Sequence, residues 1–492
     1  MPEVTIRFRF RIPGLIILLL PGLWSGVVQA AEPLRISFPQ VLQRVMDNYP
    51  SLRLAQLQVE RARQEIKRVE STLGWNLNGQ GGLNRQLSFL LTPSDIAEIS
   101  AGLQRQLRSG DSIGISGSYR YEDSTTTFSP AYPNPSQRSG VELNYRMPFG
   151  RGEDNPVFQQ GLVSAEAGIL IEKANQLAVR DQLARQTLEL FYSTAKIHAS
   201  LDTARSAVTR AQRLKKYIRK KITLGLAEKK DVLQAEAQLQ SRLSDVKSLQ
   251  ISWQQARTTL NRLMGRAWDA ELIPDLQAEN HENVNEMRLA ELIVEAEKNS
   301  PDLLRNQARI KLSEAEIIRR RDTRKDKVDV VFSLGAQTIS GDTAYGNIDD
   351  KEMVGGVRLE YQQSLDKSGL DAGIYQAQLD KKIAEENILK IKDDLRYSLA
   401  SLVAEIEVSQ NALKRYTLRL RSEDRKFKEA LERYKSGRTE TDRLIQYENE
   451  LQLARFALEE QRIAYEQRLY NLRILRGDIW KSVVLPEGVA KP

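Results

Sequence analysis

The 492-residue chain carries 73 Lys and Arg against 65 Asp and Glu, a formal charge of +8, with two histidines and no cysteine. Zinc, thiol and disulfide chemistry therefore lack their residues, as does a lipid anchor on an N-terminal cysteine. The basic excess does not point to nucleic acid, because bases interleave with acids along stretches such as 377–398, as on a solvated coiled-coil face.

Residues 1–30 read as a signal peptide. Arg7, Arg9 and Arg11 form a basic start, Ile12 to Trp24 an apolar core, and Val28-Gln29-Ala30 ends in the small residue that cleavage favours. A membrane anchor is the competing reading, but the apolar run is only about half the ~20 residues a spanning helix needs. Residues 37–72 then predict a helix. From 75 to 147 the period changes to two: Ile113, Ile115, Gly117, Tyr119 and Tyr121 alternate with Ser112, Gly114, Ser116, Ser118 and Arg120, and Val141, Leu143, Tyr145 and Met147 with Glu142, Asn144 and Arg146. Trp75, Leu77 and Leu83, and Ile99, Ala101 and Leu103, continue the alternation, which predicts four strands. Ser109-Gly110-Asp111 reads as a tight turn, and the proline-bearing segments 86–97 and 122–138 as long loops. Such strands fit a soluble half-buried sheet or a transmembrane barrel. The export signal and a second face rich in Asn, Gln, Ser and Arg favour the barrel.

Pro148 closes the strand region. From Pro156 to about Ile222 no proline interrupts a helical run that would be roughly 100 Å long, a rod rather than part of an ordinary domain. Leu224-Gly225-Leu226 marks its tip, where glycine permits positive φ. On the return, Val232, Ala235, Leu239, Val246, Leu249, Trp253, Ala256, Leu260 and Leu263 keep a spacing of three and four that specifies supercoiled packing. After a linker over 267–287 the order recurs: a helix over 288–325, strands over about 327–361, a long helix, a tip at Ser436-Gly437 and a return helix, with a tail over 481–492. The recurrence is also literal. Asn48-Tyr49-Pro50-Ser51-Leu52 returns as Asn299-Ser300-Pro301-Asp302-Leu303, and Gly225 to Gly265 maps onto Gly437 to Gly477, carrying Gln234 and Glu236 onto Gln446 and Glu448. The chain thus divides into repeats over 31–266 and 288–480, the first longer by one hairpin.

The repeated Asn-x-Pro-x-Leu opening, the tip-to-return run Gly225…Asp231-Val232-Leu233-Gln234-Ala235-Glu236 and the junction Met147-Pro148-Phe149 resemble the TolC-like outer-membrane efflux proteins over nearly the whole mature chain. The resemblance implies an α+β membrane protein: a homotrimer whose composite transmembrane β-barrel continues into a long α-helical coiled-coil barrel across the periplasm, built from two structural repeats. It further implies an outer-membrane efflux or type I secretion duct of a Gram-negative-type cell, contacting outer-membrane lipid and meeting a periplasmic adaptor and an inner-membrane pump. No enzyme activity, cofactor or nucleic acid is implied. One chain has too few strands to close a barrel, and six per chain would make a large one. In the family the gate is narrowed by acids six and nine positions after the second tip glycine. Here those positions are Arg443 and Gln446, with Asp442 beside them, so an acidic ring is not expected there, while Asp231 holds the equivalent place in the first repeat. Tyr434 matches a gate tyrosine, with an ordinary packing aromatic as the alternative. Arg438, Thr439, Asp442 and Arg443 are the candidate gate contacts, and Leu224, Gly225, Leu226, Ser436 and Gly437 the candidate docking tips. The alternative function is a soluble periplasmic coiled-coil scaffold or adaptor.

Overall fold

The computed structural model describes residues 34–87, 93–126, 129–225, 227–276, 288–436 and 438–483. The expected signal peptide, most of the tail, Leu226 and Gly437 lie outside the described residues.

Strand β1 (Leu34–Ile36) leads into α1 (Phe38–Asn48) and α2 (Pro50–Ser71). The sequence predicts one helix over 37–72, and two form. Tyr49 is extended (φ −82°, ψ 122°), because the proline after it excludes the helical conformation and Pro50 opens α2 without an N–H to satisfy. The single helix expected over 288–325 divides at Pro301 for the same reason, into the later helices α5 (Leu289–Asn299) and α6 (Pro301–Arg324), with Ser300 extended between them.

Strands β2 (Trp75–Leu87), β3 (Pro93–Gln106), β4 (Ser112–Ser124) and β5 (Ser136–Pro148) follow α2. β7 (Lys327–Thr343) and β8 (Gly346–Gln362) join them in one antiparallel sheet of order β2-β3-β4-β5-β7-β8. The strands outrun their sequence limits. β3 begins at Pro93 and β5 at Ser136, so parts of 86–97 and 122–138 expected as loops are paired backbone. Register separates the faces cleanly. Leu77, Leu103, Ile115, Leu143 and Leu334 occupy one cross-strand row, and one residue along, Asn78, Gly102, Ser116, Glu142 and Gly335 occupy the next on the opposite face. The apolar face is uncovered: Leu77 is 74 % exposed, and Ile99, Val141, Leu334, Val357 and Leu359 are exposed as well.

Both long helices, α3 (Pro156–Thr223) and α7 (Ser368–Lys435), have 68 residues, about 100 Å at 1.5 Å per residue. Their returns are α4 (Lys229–Leu263) and α8 (Thr441–Arg476). The α4 seam from Val232 to Leu263 faces inward, whereas Leu233, Leu243 and Ile251, off that seam, are exposed. Midway along α3 a girdle forms. Leu183, Leu188, Phe191 and Tyr192 pack with Phe38, Val41 and Leu42 of α1, Leu260 of α4, Tyr470 and Ile474 of α8, and Trp480 beyond α8. Leu272 joins it from β6 (Leu272–Pro274), a strand parallel to β1 that lies within the stretch read as a linker. Here Arg180, fully buried, stacks 4.2 Å from the Trp480 ring and donates to Asp181 at 2.9 and 3.1 Å.

Sheet and rods join at two turns. Pro148 is the last, buried residue of β5, and Phe149 N–H donates to Val328 O at 2.7 Å. Asn155 then takes a left-handed conformation (φ 46°) and accepts from Phe158 N–H, capping α3. The second turn has Gln363-Ser364-Leu365 and no proline. Asp366 accepts from Ser368 N–H at 2.8 Å, Lys367 reaches Asp326 at 2.7 Å, and Leu365 is 95 % exposed.

Candidate functional site

The far ends of the two helical hairpins meet in one small core. Leu214 and Ile218 of α3, Ala235 of α4, Ala430 and Tyr434 of α7, and Leu444 and Ile445 of α8 are all buried there. Ala235, and Leu444 as the repeat equivalent of Val232, belong to the seams of their return helices, so the hairpin pattern helps to bring the tips together. Gly225 turns the first tip at φ +71°, and Leu224 beside it is 64 % exposed. Ser436 ends α7 with its hydroxyl donating to Glu432 O and Arg433 O.

Tyr434 is buried in this core, and its hydroxyl lies 2.9 Å from Thr441 Oγ1 at the start of α8. The Lys221 ammonium of α3 sits 4.4 Å from the centre of the Tyr434 ring and donates to the Tyr434 carbonyl oxygen. Tyr217 lies against the same ring, 5.9 Å between centroids. Burial pushes the Tyr434 phenol above its ordinary value, and the charge of Asp231 adds to that, with the Thr441 contact opposing. Asp231 itself accepts from Glu228 N–H at 3.0 Å, bracing the first turn of α4. The Tyr434 ring thus fills the tip core, and its hydroxyl and carbonyl tie α7 to α8 and α3.

The other candidates are arranged differently. Arg438, Asp442, Arg443 and Gln446 are exposed and Thr439 is half-buried. Gln446 donates to Glu450 one turn along its own helix. Among the described residues no hydrogen bond or ion pair holds the side chains of Arg438, Asp442 or Arg443 within the protomer, although Asp442 adds slightly to Glu228, the main cause, in favouring the charged form of Lys230 on α4.

Sequence reasoning missed a buried polar cluster between the hairpins. Glu448 of α8 is 1 % exposed, yet its carboxylate accepts from Arg210 of α3 at 3.1 Å, Gln238 of α4 at 3.1 Å and Arg242 of α4 at 3.4 Å. Arg210 also donates to Gln452, which returns a bond to Thr203 O at 3.3 Å, and Arg242 donates to Asn449. Burial pushes the Arg210 guanidinium down, and the Glu448 carboxylate opposes that. One buried acid thus fastens the second hairpin to both helices of the first. The only sequence signal was its repeat partner Glu236, which instead pairs within its own hairpin, with Lys215.

Among the described residues no helix is long and apolar enough to cross a membrane, which leaves the sheet as the element to compare with a membrane surface. No family model and no curated protein matches the sequence. Solved structures do match the fold. The outer membrane protein VceC of Vibrio cholerae superposes with a TM-score of 0.64 at 15 % identity, over 90 % of this chain and 95 % of its own. A membrane protein from Pseudomonas aeruginosa gives 0.65 at 18 % identity over 94 % and 96 %, and the outer-membrane channel OprN 0.67 at 15 % over 89 % of each. The chain therefore has the fold of outer-membrane channel proteins.

Proposed function

We propose that the protein is a passive outer-membrane export duct, not an enzyme, spanning the outer membrane and reaching into the periplasm. The observation that carries this reading is the six-stranded sheet with one uncovered apolar face and one polar face, set on helical rods about 100 Å long. An exposed apolar face of this size would drive a soluble protein to aggregate, whereas lipid satisfies it. OprN and CmeC of Campylobacter jejuni, two proteins of this fold, are outer-membrane channels, and the export role is argued from the geometry.

The duct acts as a homotrimer, with its two repeats from each chain making a pseudo-sixfold ring. The outer side of α7 supports this. Tyr375, Leu379, Ile383, Leu389, Tyr397 and Val408 are exposed along it, a stripe that a lone helix in water would leave uncovered. At the tips, Leu224, Gly225, Leu226, Ser436 and Gly437 meet a periplasmic adaptor coupled to an inner-membrane pump, in an efflux or type I secretion assembly. Cargo diffuses through water, and the tips gate it. Tyr434, Lys221 and the Glu448 cluster hold the closed arrangement within each chain, while Arg438, Thr439, Asp442, Arg443, Gln446 and Asp231 face the approach between chains.

Membrane fractionation tests the reading. The protein should leave washed membranes only with detergent; release by salt or alkali alone would favour the soluble scaffold. In planar bilayers the Asp442→Ala/Arg443→Ala variant should show higher single-channel conductance, and unchanged conductance would remove both residues from the gate.

A further inference from the structure

The positive charge of the chain is not spread along it. Over 213–233, the end of the first hairpin, eight basic residues stand against two acidic ones. Over 425–445, the equivalent stretch of the second hairpin 212 positions on, seven stand against four. The two ends thus carry +9 in a chain whose total is +8, and everything outside them sums to −1.

Away from the tips, bases meet acids. On the polar face of the sheet Arg120 lies 4.0 Å from Glu98 and 3.3 Å from Glu122, and Arg146 pairs with the buried Asp329. At the tips the acids run short. Lys215 and Arg219 share Glu236, Lys230 meets Glu228 at 3.1 Å, and Lys435 meets Glu432. Arg213, Lys216, Lys220, Lys229, Arg425 and Arg433 are exposed, and among the described residues no hydrogen bond or ion pair holds their side chains. Arg213, Lys216 and Lys220 fall three and four apart on the face of α3 turned away from Leu214 and Ile218 of the tip core. Like charges at these spacings repel along a helix, so the stripe works against the tip unless anions compensate it.

We infer that the tips form a basic collar that concentrates anions at the periplasmic mouth, and that the cargo class is organic anions bearing carboxylate, phosphate or sulfonate groups. The inference rests on the export-duct reading above. The spread of the charge favours passing anions over one docked acidic protein. Unpaired bases stand on all four helices of the tips, with Lys216 on α3, Lys229 on α4, Arg433 on α7 and Arg443 on α8, whereas a seated partner covers one side. Within a Debye length, about 8 Å at physiological salt, such a field raises the local concentration of anions and lowers that of cations. Because the charges on the sheet are largely matched, the selection acts at the tips.

Reversal potentials test this. The full chain is reconstituted in planar bilayers under a KCl gradient at 0.1 M and at 1 M mean salt. At the lower salt chloride should permeate about threefold more readily than potassium, and the preference should shrink at the higher salt as the collar is screened. Gluconate, a bulky carboxylate, should carry more current than N-methylglucamine, a cation of similar size. Arg213→Glu/Lys216→Glu/Lys220→Glu takes the tips from +9 to +3 and should abolish the preference. Arg213→Gln/Lys216→Gln/Lys220→Gln should fall between, and keeps the test open if charge reversal spoils folding. Channels without a chloride preference, channels that pass N-methylglucamine over gluconate, or a preference untouched in both variants overturn the collar and leave the duct reading intact. The first of these results turns the bases toward an acidic partner outside the path. Protein that forms no channels, or leaves washed membranes without detergent, overturns the duct reading itself.

Discussion

Glu448 is the residue on which the two hairpins turn. A carboxylate at 1 % exposure is tolerable only because Arg210, Arg242 and Gln238 converge on it. Glu448→Gln keeps the shape but leaves two guanidinium groups without their counter-charge. It should lower the stability of the tip region by about 3 kcal/mol, read as a lower thermal midpoint, and raise conductance in bilayers. Tyr434 gives a pH-dependent counterpart. Its phenol is held above the ordinary value by burial, so the neutral form contributes fully below the unfolded-state value near 10 and its contribution is lost as pH rises through the folded value. Hydrogen exchange around 430–445 should accelerate above about pH 10, and Tyr434→Phe should blunt that acceleration; an unchanged profile would exclude Tyr434 as the titrating group. Tyr434 was legible in the sequence by its place before the tip glycine. Lys221 and the Glu448 cluster were not, because their partners lie more than 200 positions away and no spacing rule links an acid on α8 to a guanidinium on α3. Glu236 and Glu448 hold equivalent positions, yet only the second is covered by a third helix.

At the scale of elements, the rods were readable because a seam sustained over ten turns leaves one solution for where the side chains go. The strands were readable as alternation, but their ends were not. Pro93 and Ser136 sit where proline-bearing segments suggest loops, and paired backbone extends to both. The short helices showed the reverse error. Amphipathic periodicity runs through Pro50 and Pro301 unbroken, so the pattern concealed a break that backbone sterics impose. Gly225 offers a test at this level. An added Cβ would meet nothing within 4 Å, so Gly225→Ala carries only the left-handed backbone penalty, about 1–2 kcal/mol. Limited proteolysis should speed up at the first tip while the girdle and the sheet keep their protection. Gly335 is the contrast: an added Cβ would lie 2.8 Å from Val141 O across the ladder, so Gly335→Ala should disturb the β5–β7 pairing itself.

Among the described residues of the whole molecule, the girdle is where the first helices, both hairpins, the small parallel sheet and the segment after α8 pack together. Trp480→Ala removes an aromatic that is 2 % exposed, together with its stacking on Arg180, and should cost about 3–5 kcal/mol of stability, measurable as loss of the folded state in denaturant. Its position has a mechanical consequence. Below the girdle α3 continues from Phe191 to Thr223, an arm of about 48 Å that packs on α4 and α8 through the small buried residues Ala204, Ala207 and Ala211. The girdle is a fulcrum and the hairpins are levers. A rotation there of about 5° of one hairpin against the other carries a tip through about 4 Å, enough to part Lys221 of α3 from the Tyr434 carbonyl of α7. A motion small enough to leave the central packing in place can therefore separate the two tips.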